Sequence, residues 1–152
     1  MLLEQIVPAL QLSIGPVIVI SGAGLILLSM TNRYARVIDR ARSLADTLRK
    51  TSGGKNPRIQ AQILIIATRA QNLRRAIIFV SISLLLAAML VIALFFIAFL
   101  SLNAIPLIIV LFVLSMSSLS VGLMIFIVDV NDSMSALKIE LEGDSFQPEK
   151  AE

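Results

Sequence analysis

From Ala76 to Val128 the chain carries no ionisable side chain, and between Glu4 and Arg33 there is none either. Runs of this kind leave few folds open. A helix crossing a bilayer needs about 20 apolar residues at a rise of about 1.5 Å each. The earlier run holds one such helix. The later one holds two, divided at "SLNAIP" (101–106), where Asn103 and Pro106 signal a turn and a fresh helix start. The pattern predicts transmembrane helices at about 6–30, 77–100 and 105–128. The chain is 57% hydrophobic, above the level of about half expected in soluble domains.

Composition also removes chemistry. There is no cysteine and no histidine. Disulfides, thiol chemistry and cysteine metal sites are therefore excluded, together with the commonest general base and metal ligand. No acid, base or metal set falls inside the apolar runs, where ionisable residues usually mark function. We expect no enzyme, no catalytic residue, no cofactor and no metal. The opening "MLLEQIVPAL" lacks the basic leader and cleavage pattern of a signal peptide, so the first span is expected to stay in place.

Charge is concentrated. Eleven of the thirteen Lys and Arg residues lie between Arg33 and Arg75, against only Asp39 and Asp46. Basic segments beside spans remain on the cytoplasmic side. The expected topology has the N-terminus outside and the basic loop and C-terminus inside. The tail, 129–152, carries seven acids and two lysines and ends in "EGDSFQPEKAE". It is expected to be partly disordered, with 129–142 extending the third span by a few turns.

The basic loop, 31–75, has its own pattern. Tyr34, Val37, Ala41, Leu44 and Leu48 repeat at heptad-like spacing, as do Ile59, Ile63, Ile66, Ala70 and Leu73. Between them "KTSGGKNP" (50–57) supplies Gly53 for a helix end and Asn56-Pro57 for a helix start. The fold class expected is thus all-α integral membrane. Spans one and two extend without a breaker into a cytoplasmic antiparallel helical hairpin, 31–51 and 57–75. Asp39 is placed to pair with Arg36 or Arg42 along the first arm.

At 100° per residue, Glu4, Gln11, Gly15, Gly22, Ser29, Arg33, Arg36 and Arg40 share a sector of about 60° on the first helix. Ile18 and Ile26 lie on or beside it, as does Pro8, and Gly15-Pro16 is a place where the helix could bend. Two readings follow. In one, small residues let another helix approach closely while the arginines meet water or anionic headgroups. In the other, several copies surround an axis. Glu4 and Gln11 line the mouth, Ile18 and Ile26 form apolar constrictions, and Arg33, Arg36 and Arg40 make anion-preferring rings. Three spans enclose little, so a pore requires a homo-oligomer, with four to six subunits plausible. The functional expectation is a homo-oligomeric channel lined by the first helix. The alternative is a non-conducting scaffold or regulatory protein that binds anionic lipid or an acidic partner through its basic stalk.

Other features are weaker. Ser115, Ser117, Ser118 and Ser120, followed by Gly122, read as a packing face with hydroxyls bonded to their own backbone. Asp129 closes the third span at the level of Arg33, Arg74 and Arg75 and is a candidate for a boundary ion pair, notably with Arg74 or Arg75. Nucleic acid is not expected as a partner, since Tyr34 is the loop's only aromatic residue. The glycines of "SGAG" (21–24) lie inside a span and cannot cradle a phosphate there.

The stretch "VISGAGLILLSMTNRYARVIDRAR" (19–42), followed by "RAQNLRRAI" (69–77), resembles the bacterial membrane family designated domain of unknown function 2721. The resemblance covers about residues 5–130, with Thr31-Asn32-Arg33 and Asp39-Arg40 as its most specific part. It implies three spans and a bacterial or cyanobacterial inner membrane. It brings no activity with it, so no catalytic or binding residue carries over.

Overall fold

The computed structural model describes residues 2–52, 56–100 and 104–144. They form three helices: α1 (Leu2–Ser52), α2 (Pro57–Leu100) and α3 (Ile105–Asp144). No strand occurs among the described residues. Each helix contains a stretch long and apolar enough to cross a membrane.

The 51 residues of α1 reach about 75 Å at 1.5 Å per residue, well over twice a hydrocarbon core of about 30 Å. The helix passes residue 31 without a break, so apolar span and basic arm are one rod. Pro8 and Pro16 lie inside it, each removing one backbone donor. Where the apolar run meets the first arginine, the Thr31 hydroxyl donates to the Leu27 and Leu28 carbonyls at 3.0 and 2.9 Å.

The expected start of α2 is present. Asn56 precedes the helix, Pro57 opens it, and the Gln60 N–H donates to the Asn56 carbonyl at 3.1 Å. In the same way α3 starts with Pro106 in its first turn, and the Leu107 N–H donates to the Ala104 carbonyl at 3.1 Å. The turn residues Gly53 and Asn103, and the polar tail from residue 145, lie outside the described residues. The expected extension of the third span over 129–142 is present, and α3 runs on to Asp144.

Helix α2 is the middle element, packing against α1 on one side and α3 on the other. Accordingly 28% of its most apolar window is buried, against 17% for α1 and 11% for α3. The three helices meet around Met30, Ala76 and Val80, with Ile26, Leu27, Ile77, Leu119, Leu123, Ile125 and Phe126 packed about them. Beyond this cluster large apolar side chains such as Leu25, Leu85, Phe99 and Met124 are exposed, as expected of surfaces that hydrocarbon covers. Along α1 the seam residues Tyr34, Val37, Ala41, Leu44 and Leu48 are half-buried. On α2 Ile59, Ile63 and Ile66 are half-buried, and Ala70 and Leu73 are buried.

Candidate functional site

A very close helix–helix contact joins α2 and α3. Gly122 is buried, and a Cβ there would sit 2.8 Å from Val80 Cγ2 and 3.1 Å from both the Ala76 carbonyl oxygen and the Val80 nitrogen. Only glycine fits so near a facing backbone. One and two turns before it, the Ser118 hydroxyl donates to the Phe79 carbonyl at 2.8 Å, and the Ser115 hydroxyl donates to the Ser83 carbonyl at 3.0 Å. The Ser83 and Ser115 hydroxyls lie 3.4 Å apart, both buried.

The packing role expected of the serine cluster is therefore present, with one correction. Ser115 and Ser118 bond across to α2, and only Ser120 bonds its own helix, at the Met116 carbonyl. The close approach made possible by Gly122 brings α2 carbonyls within reach. Ser117 is exposed. Ser115→Ala is expected to lower stability by about 0.5–1 kcal/mol, the usual worth of an interhelical bond in a membrane. Ser117→Ala should change nothing, and thermal unfolding in mild detergent measures both.

The same face of α3 carries Asp129, two turns beyond Gly122. Its side chain is only 6% exposed and lies 3.4 Å from Arg33 Nε. The Arg33 guanidinium, 26% exposed, also stands over the Phe126 ring at 5.9 Å from its centroid, a cation–π geometry. The boundary ion pair is thus made by α1, whereas Arg74 and Arg75 are exposed. The reason lies in the surroundings: Arg33 is half-buried beside Asp129 and Phe126, whereas the Arg74 and Arg75 side chains are left to the outside of α2.

The rest of that stripe is open. Gln11, Gly15, Ile18, Gly22, Ser29, Arg36 and Arg40 are all exposed, and a Cβ at Gly15 or Gly22 would meet nothing within 4 Å. Ile26, by contrast, packs on the Met30 cluster. The side chain of Glu4 lies outside what the structure describes. Asp39 pairs with Arg42 at 3.9 Å, an exposed contact worth a few tenths of a kcal/mol. Among the described residues no group of acids has the arrangement of a metal site.

Two features have no clear sequence signal. Phe126, as the partner of Arg33, is one of many apolar residues in its span. An apolar cavity of about 470 Å³ opens near the ends of the spans, lined by Leu12, Pro16, Leu90, Leu94, Ile105, Ile108, Ile109 and Phe112. Neither has a spacing that separates it from ordinary lipid-facing residues.

The class defined by these features is an all-helical protein with three helices long and apolar enough to span a membrane, held together through α2. The chain belongs to the family described as Protein of unknown function (DUF2721), which matches residues 13–139. The membership expected from "VISGAGLILLSMTNR" is borne out. No curated protein and no solved structure matches the chain significantly.

Proposed function

We propose that the protein is a homo-oligomeric membrane channel whose path is lined by α1. One observation carries this reading: the small and polar stripe of α1 is uncovered, while the corresponding face of α3 is consumed by α2. From Gln11 to Arg36 the stripe rises about 38 Å, enough to line a path through a hydrocarbon core of about 30 Å. Four to six copies turning this face to a common axis would cover it. Gln11 lies toward one mouth, Ile18 narrows the path, and Arg36 and Arg40 form cationic rings at the other mouth that favour anions. Arg33 stands behind those rings, engaged with Asp129.

In this arrangement α1 and α2 continue past the membrane as an antiparallel hairpin on the cytoplasmic side, supported by the half-buried seams on both helices. The basic excess of that hairpin keeps it inside a bacterial inner membrane with the N-terminus outside. Reconstituted into planar bilayers under a salt gradient, the protein should give currents whose reversal potential reports anion preference. Arg36→Gln/Arg40→Gln should reduce that preference. A monodisperse single chain in mild detergent, with silent bilayers, sinks the proposal.

A second reading has its own support in the exposed side chains of Arg36, Arg40, Arg42, Arg49, Arg74 and Arg75. They suit a non-conducting scaffold that holds an acidic partner or anionic lipid. That reading expects silent bilayers together with capture of a partner that is lost when these arginines are neutralised.

A further inference from the structure

We propose that the cleft formed by Arg33, Arg36, Val37 and Arg40 on α1 binds the phosphate of an anionic phospholipid headgroup. The cleft measures about 320 Å³. Such binding rests on the second reading above, with this face of α1 turned to lipid; Arg36 and Arg40 gathered round a central axis would exclude it. Arg33 is the first charged residue after the apolar run, and α1 continues through it unbroken. The cleft therefore begins where hydrocarbon ends, at headgroup depth.

Its chemistry is that of a phosphate site. A guanidinium presents paired donors that match two phosphate oxygens. Arg33 is already held by Asp129 at 3.4 Å and by the Phe126 ring, so one wall is oriented before a ligand arrives. Arg36 and Arg40 are four residues apart on one helix face, where like charges repel. An anion between them relieves that repulsion. Asp129 offsets the charge of Arg33 from behind, which leaves Arg36 and Arg40 as the excess positive charge of the cleft; Asp39 and Asp46 line a separate groove with Arg42, Ser43, Thr47 and Lys50. A lipid suits the place better than free phosphate because Leu25, two turns toward the membrane from Arg33, is widely exposed and offers apolar surface to an acyl chain.

The test is native mass spectrometry of the full chain in mild detergent with phosphatidylglycerol or with phosphatidylcholine of the same acyl chains. Three proteins are compared: wild type, Arg36→Gln/Arg40→Gln, and Arg74→Gln/Arg75→Gln, which removes the same charge from α2. Wild type and the α2 variant should retain phosphatidylglycerol over phosphatidylcholine. The α1 variant should bind it roughly 25-fold more weakly, as expected for two basic residues near a lipid surface. Equal weakening in both variants, or equal retention of the two lipids, overturns the site. Displacement of phosphatidylglycerol by equimolar inorganic phosphate overturns the assignment to lipid. All substituted residues are exposed, and circular dichroism confirms that each variant is folded.

Discussion

Gly122→Ala is expected to destabilise the protein by about 2 kcal/mol, in the range of overpacked interiors, and Gly122→Leu to prevent α3 from docking. The added methyl would lie 2.8 Å from Val80 Cγ2 and 3.1 Å from two α2 backbone atoms. Val80 is fully buried and β-branched, so its side chain has little freedom to turn aside. Backbone cannot yield without moving a helix. Separation of α2 and α3 would also stretch the Ser115 and Ser118 bonds. Gly22→Ala is the control, because its Cβ meets nothing within 4 Å. Within a single chain it should be neutral or slightly stabilising, as alanine favours helix. Thermal unfolding by circular dichroism in mild detergent separates the two, and equal melting temperatures for Gly122→Ala and wild type would show that the close approach is not structural. If copies meet along α1, Gly22→Ala should weaken the oligomer while leaving the single chain intact.

The second large effect is expected at Arg33. Removing one partner of a buried pair strips the other charge of much of its compensation, at a cost of about 3–5 kcal/mol when both are fully enclosed. Arg33 keeps 26% of its side-chain exposure, so a loss of about 2–3 kcal/mol is expected for Arg33→Ala after allowing for water. Asp129→Ala should cost less, since the long arginine side chain can swing its charge into solvent. The double variant Arg33→Ala/Asp129→Ala should be more stable than Arg33→Ala alone. Arg33→Lys should recover only part of the loss, because an ammonium lacks the planar stacking of a guanidinium over Phe126. A double-mutant cycle by denaturant unfolding measures the coupling, and strictly additive losses would show that the two side chains do not work together.

Much of the architecture is legible without coordinates. The helix starts at Asn56-Pro57 and Pro106 follow from proline's fixed backbone angle and missing donor. The continuity of α1 through Thr31-Asn32-Arg33 follows from the lack of any breaker there, and the two basic arms show their seams by spacing alone. The open stripe is less legible. Gly15, Gly22 and Gly122 look alike in sequence, yet only Gly122 faces a backbone in the folded chain. Arg33 has the same spacing as Arg36 and Arg40, yet it alone of the three reaches Asp129.

The amino-acid order by itself determined the number of helices long and apolar enough to cross a membrane and the rods that run past their apolar stretches. Hydrocarbon supplies no hydrogen-bond partners, so a long apolar run has to become a helix wherever it lies. Which faces touch was decided only in three dimensions. Lipid tails are as apolar as leucine, so greasy patterning does not select one side of a span over another. That selection came from a few short-range fits, namely Gly122 against Val80, the two serine hydroxyls on α2 carbonyls, and Arg33 beside Asp129. Their partners lie far apart along the chain and become neighbours only when the helices pack.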